Sequence, residues 1–481
     1  MKPLGLLPVA LMACLVLTGC TGRHTPKASL SPVPAGPASL QQAWKQAATP
    51  LSGVANIGGV ALLYVKDGRA LRIEAHDPVS GAVLWSDRAS PALTPPDTAW
   101  FPLAVGGGVA YYEDAGGRAA KLVIADPRTG KKLAVTPTKY FGEEPYLCPN
   151  FTDALCEWLE DRNGKYLSYD RFSVAQPKLT VVKEPDDRQQ ISFNGNLFLN
   201  STAKTLSAVQ NEHVLWTKPA TSLFGPHLQL YGRWYVALFR EAGVFSGSAP
   251  SWRATDTTID LTKTSTVGFR ASDGKLLWRQ PGTSFGCLNT TQVPTKPASG
   301  SGIPLRCRYT GEVSQKRGVS HWTPKGKITV ALERYDVVTG KALWSTPIGT
   351  APIQANTDAA KGSARLDRRH LVDDDHLVVN TGTANLIVDL TTGKTTPATS
   401  STQVWCASTT TMRYKSTAYD NKKPDYTIRG WGLTYPCDLQ KKHSNRPVTA
   451  VPHQDSDSFA DGIVIYTTTT SIVALRPPPT S

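Results

Sequence analysis

Gly282-Thr-Ser284-Phe-Gly286 has the spacing of a nucleophile elbow, where a serine hydroxyl is thrust out on a tight turn to attack an acyl carbon. That chemistry needs a strand before the serine and a helix after it. Cys287-Leu-Asn-Thr-Thr follows instead, which reads as strand or loop, so the match is taken as fortuitous and no catalytic residue is assigned. Asp373-Asp-Asp-His376 holds groups able to bind a cation, but it lies between the apolar runs His370-Leu-Val and Leu377-Val-Val, where a hairpin needs a polar turn. Asp455-Ser-Asp457-Ser-Phe459-Ala-Asp461-Gly462 spaces its carboxylates like half of a calcium loop. Phe459 stands where an oxygen ligand is wanted, and no acidic residue closes the loop downstream. Gly393-Lys394-Thr395 ends like a phosphate loop but lacks the upstream glycine and sits among strand-like runs. No metal site and no cofactor are therefore expected.

Eight cysteines are present. Cys14 and Cys20 fall in the first twenty residues. The other six stand as near neighbours: Cys148 with Cys156, Cys287 with Cys307, and Cys406 with Cys437. An even count in an exported chain favours disulfides, each contributing about 2–4 kcal/mol by restricting the unfolded chain. A metal site is the competing reading, without a Cys-x-x-Cys or a nearby histidine pair to support it.

The elements that must position these groups come from a repeat. Asp77-Pro-Val-Ser-Gly81 leads to Trp85, Asp126-Pro-Arg-Thr-Gly130 to Leu133, Asp336-Val-Val-Thr-Gly340 to Trp344, and Asp389-Leu-Thr-Thr-Gly393 closes the series. A further copy, Ser272-Asp273-Gly274, leads to Trp278 with Arg270 in place of the aspartate. Each copy follows an alternating apolar run such as Ala70-Leu-Arg-Ile-Glu-Ala, which reads as β-strand. The aspartate can bond amides two residues on and the glycine supplies positive φ, so the motif is a hairpin turn. The gap from Gly130 to Gly274 leaves room for two worn copies, at Tyr166–Phe172 and at Thr205–Trp216. Gly462–Leu475 adds a unit that stops before its turn and tryptophan. Its missing strand is expected near Trp44. The count implies an all-β propeller of about eight four-stranded blades, or seven if one worn copy is only a decorated loop, closed by pairing the N- and C-terminal strands. Apart from a short helical turn around Leu40 to Ala47, no helix is expected.

This pattern resembles the propeller repeats of the pyrroloquinoline-quinone-dependent alcohol dehydrogenases and of the cofactor-free propellers related to them. The resemblance covers most of residues 53–476 and implies that Asp77, Gly81, Trp85, Asp126, Gly130, Trp216, Gly274, Trp278, Asp336, Gly340, Trp344, Asp389 and Gly393 tie blade to blade, with Trp85, Trp278 and Trp344 buried between sheets. The dehydrogenases also carry adjacent cysteines, a calcium shell and an aspartate base. This chain has no adjacent cysteines and no haem-attachment Cys-x-x-Cys-His. A binding or scaffold role is expected, with a quinone-dependent dehydrogenase, or a propeller hydrolase or lyase, as the alternative.

The first residues are a lysine followed by an apolar run ending in Leu17-Thr-Gly-Cys20. The run is that of a signal peptide over 1–19. The ending resembles the bacterial lipoprotein box, which implies lipidation of Cys20 and a membrane anchor on the extracytoplasmic face. Residues 20–39 are rich in Pro, Ser, Thr and Ala and are expected to form a loose tether, with the propeller over 40–481. In such a chain the acceptor-like Asn150, Asn200 and Asn289 have no glycan to carry.

The formal charge of +14 suits a protein or anionic cell-envelope partner. No nucleic-acid reader motif is present. Interruptions at 246–266, 294–327 and 415–453 decorate the blades, and the second holds Arg306, Arg308, Lys316, Arg317, His321 and Trp322 as candidate contacts to an anionic partner.

Overall fold

The computed structural model describes residues 38–479, apart from 93–100, 149–152, 176–177, 182–189, 194–196, 201–202, 211–212, 227, 229–234, 250–255, 286–291, 294–301, 315–322, 351–370, 382, 416–424, 431 and 454–455. The signal peptide, Cys20 and the tether up to residue 37 lie outside the described residues, as do Cys287, Asn150 and Asn289. Among the described residues no helix is long and apolar enough to cross a membrane.

Alternation builds the strands. In Ala70–His76, Leu71, Ile73 and Ala75 are buried while Arg72 and Glu74 between them are only half-buried. The chain lays such strands down as successive antiparallel hairpins. Ala55–Ile57, Val60–Asp67, Ala70–His76 and Val83–Ala89 form the first unit, and Leu103–Val105, Gly108–Asp114, Ala120–Ala125 and Lys132–Val135 the second. The worn copies are real strands: Tyr166–Ser173 and Leu179–Val181 lie in one sheet, Thr205–Gln210 and His213–Pro219 in the next.

The fold is an all-β propeller, but the blade count differs from expectation. Six sheets have four or more strands among the described residues, giving six blades rather than eight or seven. Two local features account for the difference. The first two units merge into one eight-stranded sheet through the pair Ala89–Glu113. The unit that ends at Asp389 has only the strands His376–Asn380, Asn385–Asp389 and Thr395–Pro397 among the described residues.

The repeated turn works as its composition requires. Asp126 Oδ1 accepts from the amides of Thr129 at 2.7 Å and Arg128 at 3.1 Å and from the Thr129 hydroxyl at 2.8 Å. These bonds hold its carboxyl below the usual range, led by the Thr129 amide. Asp77 and Asp336 bond their turns in the same way, and Asp389 accepts from the amides of Thr391 and Thr392. Gly130 has φ 70°, and a Cβ there would lie 2.8 Å from the Trp85 ring, so both conformation and space demand glycine.

Each tryptophan reaches forward one unit. Nε1 of Trp85 donates to Pro127 O at 2.8 Å, Trp216 to Ala271 O at 2.8 Å, Trp278 to Val337 O at 2.8 Å, and Trp344 to Leu390 O at 3.2 Å. Gly274, Gly340 and Gly393 lie under the rings of Trp216, Trp278 and Trp344 respectively. Trp405, which follows no recognisable turn, makes the same kind of bond to Ala450 O at 3.1 Å. Burial of the tryptophans is uneven. Trp216 and Trp278 are 8% exposed, whereas Trp85 and Trp344 are only half-buried, against the expectation that Trp85 and Trp344 are buried.

Closure uses both ends of the chain. The expected helical turn near Leu40 is instead the strand Gln41–Ala47, which pairs antiparallel with Ser471–Arg476. Trp44 on that strand donates to Pro78 O at 2.9 Å in the first repeat turn and packs on Gly81, so the last sheet docks onto the first. The one α-helix among the described residues is Ala220–Phe224, which buries Ala220, Leu223 and Phe224. Disulfides join Cys148 to Cys156 and Cys406 to Cys437. Cys307 is also disulfide-bonded.

Candidate functional site

The repeat leaves little unexplained at its turns, so function is sought where it is interrupted. The chain leaves one sheet after Val244–Ser248 and re-enters it at Ser265–Arg270. On the way, Thr258–Asp260 pairs with the far end of Ile303–Ser314 in the neighbouring sheet, setting Thr258 opposite Ser314 and Asp260 opposite Glu312. That long strand bends at a bulge by Gly311, whose φ is 99° and whose added Cβ would meet Lys327 O at 2.6 Å. Asp260 then fixes the turn Leu261–Lys263: its Oδ1 accepts from the Thr262 amide at 3.0 Å and hydroxyl at 2.6 Å, and Leu261 anchors it in the core.

A cleft of about 510 Å³ lies between this insertion and the sheet it left. One wall is Asp256, Thr258, Ile259, Asp260 and Lys263, with Glu312 from the long strand. The other is Phe224, Gly225 and Pro226 at the end of the short helix, with Ser265, Arg279 and Pro281. Lys263 lies 3.4 Å from Asp260 Oδ2, and Lys325 lies 3.0 Å from Glu312 Oε2, so these two carboxylates have cationic partners. Arg279 donates from Nη2 to Leu223 O at 2.7 Å, and from Nη1 to Phe224 O and Ser265 Oγ, both at 3.2 Å. It thereby satisfies the last carbonyls of the helix. Among the described residues no carboxylate lies within ion-pair distance of it. Partial burial lowers its pKa, yet an arginine remains charged at physiological pH. A cation held in place beside a groove of this size is chemically suited to recognising an anionic group.

The residues singled out from sequence are mostly elsewhere. Arg306 and Arg308 lie on the strand Ile303–Ser314, not on a loop, and Arg306 is completely buried. Its Nε donates to Glu333 Oε2 at 2.9 Å and its Nη2 to Gly340 O at 2.9 Å, while Arg308 shares Glu333. Arg306 is therefore part of the interior and unavailable to a partner. Lys316, Arg317, His321 and Trp322 lie outside the described residues. Ser284 sits in the two-residue strand Thr283–Ser284 paired to Ile303–Ser314, and Gly286 is outside the described residues. Asp373 closes a turn, with His376 Nδ1 2.8 Å away, and Asp374 accepts from the His453 amide at 2.6 Å. Asp457 accepts from the Asn56 amide within the strand Ser456–Ser458, Phe459 is buried, and Asp455 is outside the described residues. Gly393 has φ 72° and forms a repeat turn. Asn200 accepts from the Ala203 amide at 2.8 Å. Among the described residues no three His, Cys, Asp or Glu side chains are grouped to hold a metal ion. Arg279 was not legible as a site residue. Its only sequence signal is its place directly after the repeat Trp278.

A second polar cluster is interior. The Tyr112 hydroxyl lies within hydrogen-bond distance of Glu157 Oε2 and 2.9 Å from Glu143 O, with one hydrogen of its own to share between them. Glu157 is fully buried, and among the described residues its Oε1 has no hydrogen-bond partner. Burial raises its carboxyl well above the usual range, and burial raises nearby Glu144 to about 7. The folded chain thus keeps a proton on Glu157 that the unfolded chain loses above roughly pH 4.3. Stability from this group is complete below that value and is lost as pH rises. Glu157→Gln should therefore melt at an increasing margin above the parent between pH 5 and 9. A margin that does not change with pH would contradict a protonated Glu157.

No protein-family model matches the sequence, and no curated protein matches it. Solved structures do. A BamB from Moraxella catarrhalis is 10% identical, with 91% of this chain and 99% of that one covered at a TM-score of 0.34. A europium-containing methanol dehydrogenase is 12% identical over 91% of this chain and 93% of that one, at 0.37. A quinohemoprotein alcohol dehydrogenase from Comamonas testosteroni is 12% identical over 92% and 78%, at 0.35. These likenesses are distant, and nothing about ligand or activity is carried over from them.

Proposed function

We propose that this chain is an exported propeller, lipid-anchored through Cys20 at the extracytoplasmic face of a bacterial cell membrane, which acts as a non-catalytic binding or scaffold module for a protein or anionic envelope partner. The observation that carries the binding role is the place of the cleft. It is built by the insertion that leaves one sheet and pairs with the next, while the repeat turns spend their polar groups on their own backbone. Binding surface on a rigid scaffold commonly resides in such added segments.

The test is site-specific photo-cross-linking in the native cells. A photoreactive residue at Thr258 or Lys263 should give a discrete adduct that disappears with Arg279→Glu. The same residue at exposed Leu133 or Leu343, on the outer strands, should give none. Adducts of equal strength at all four sites, or none at the cleft, would remove the binding role. In the same cells Cys20→Ser should leave an unprocessed or released protein that takes up no labelled acyl chain. Acyl labelling that persists in that variant would remove the anchor.

A further inference from the structure

We infer that the cleft takes an extended peptide segment bearing a carboxylate, with its backbone added to the free edge of Thr258–Asp260 and its carboxylate on the guanidinium of Arg279. The inference rests on the binding role proposed above and specifies its ligand. Three observations carry it.

The first is an open sheet edge. Thr258–Asp260 is the outermost strand of its sheet, paired on one side to Ile303–Ser314, and among the described residues no strand pairs with its other side. All three of its residues line the cleft. A three-residue edge spans about 10 Å, enough to template a short stretch of extended chain at the ordinary strand spacing. Addition of a strand to such an edge satisfies backbone groups on both partners whatever the peptide sequence.

The second is the donor inventory of Arg279. A guanidinium carries five N–H donors. Two Nη1 bonds and one Nη2 bond are made to Phe224 O, Ser265 Oγ and Leu223 O. Among the described residues the Nε hydrogen and one Nη2 hydrogen have no partner. Nε and Nη2 are the two nitrogens that grip a carboxylate side-on, the bidentate geometry that makes arginine pairs strong. The three bonds already made hold the group still, so little side-chain freedom is left to lose on binding.

The third is charge matching. Asp260 and Glu312 are paired with Lys263 and Lys325, so two of the cleft's carboxylates already have cations. Asp256 also lines the cleft, and Arg279 has no carboxylate partner among the described residues. The charge still to be matched at Arg279 is positive, which selects an acidic side chain or a C-terminal carboxylate on the incoming segment.

The experiment selects a bead library of random heptapeptides against the purified chain and against R279Q, whose fold is checked by its melting curve. Peptides selected on the parent protein should share an Asp, Glu or free C-terminus at one position. Changing that carboxylate to its amide should weaken binding to the parent by about tenfold or more, as should N-methylation of the flanking amides. R279Q should bind acid and amide forms alike. The acid-to-amide comparison is made on the unaltered protein, so a folding defect in R279Q leaves it decisive. Selection without carboxylate enrichment, equal affinity for acid and amide, or full displacement of the peptide by millimolar acetate would each overturn the inference. Those results leave the cleft cross-links intact; loss of the cross-links removes the binding role itself.

Discussion

Arg306→Ala should destabilise the protein by about 3–5 kcal/mol. Arg306 is completely buried and Glu333 is 1% exposed. The arginine bonds Glu333, Gly340 O and, at 3.4 Å, Thr266 Oγ1, and its guanidinium lies 4.8 Å from the centre of the Tyr335 ring. Tyr335 in turn donates to Ser246 Oγ at 2.9 Å. One side chain thus links two sheets and a repeat turn. Alanine would strand the Glu333 carboxylate in the interior with only Arg308, whose own side chain is 38% exposed, to answer it. The cost comes from that stranded charge rather than from attraction in the pair, since desolvation cancels much of a buried ion pair's Coulomb energy. The double change Arg306→Met with Glu333→Leu should therefore lose much less than Arg306→Ala alone. Denaturant unfolding of both variants decides the matter. A double variant as unstable as the single one would show that packing, not the stranded charge, sets the loss.

Trp278→Ala should cost about 3–5 kcal/mol. Its ring is 8% exposed, fills the space over Gly340, and meets Tyr335 edge-on at 5.7 Å. Gly268 exists to admit it, since a Cβ there would fall 2.1 Å from the indole. Trp278→Phe keeps most of the apolar area but deletes the bond to Val337 O and should cost less, with about 1 kcal/mol of the loss due to that bond. Trp85→Ala, at a half-buried ring, should fall below Trp278→Ala. Equal losses for Trp85→Ala and Trp278→Ala in calorimetry would show that burial does not rank these positions.

Much of the scaffold was legible because the turn chemistry is local. An aspartate that bonds the next amides and a glycine with positive φ announce themselves within five residues, and Trp85, Trp278 and Trp344 each stand four residues after such a glycine. Blade number was less legible. Counting repeats cannot reveal that Ala89 and Glu113 join two units into one sheet, since that pairing depends on how adjacent hairpins lie. Arg306 was misread for a different reason. Residues 294–327 read as one interruption, yet Leu305, Cys307 and Tyr309 alternate with Arg306 and Arg308 as a strand does. Between packed sheets both faces of a strand can be interior, and here the polar face of that strand meets Glu333 instead of water. The cleft was hidden because it depends on Thr258–Asp260 finding a strand some fifty positions later in the chain. Trp405 escaped notice because no Asp-x-x-Thr-Gly turn precedes it.

The pairing of Gln41–Ala47 with Ser471–Arg476 has a consequence for biogenesis. Contacts so remote along the chain are the slowest to form. A chain under synthesis can build its early hairpins at once, yet Gln41–Ala47 must wait for Ser471–Arg476. Until then the sheet they share is incomplete and presents a raw edge, which invites pairing with other chains. Chains cut short before Ser471 should therefore be aggregation-prone and protease-sensitive, whereas chains that include Ser471–Arg476 can complete the sheet.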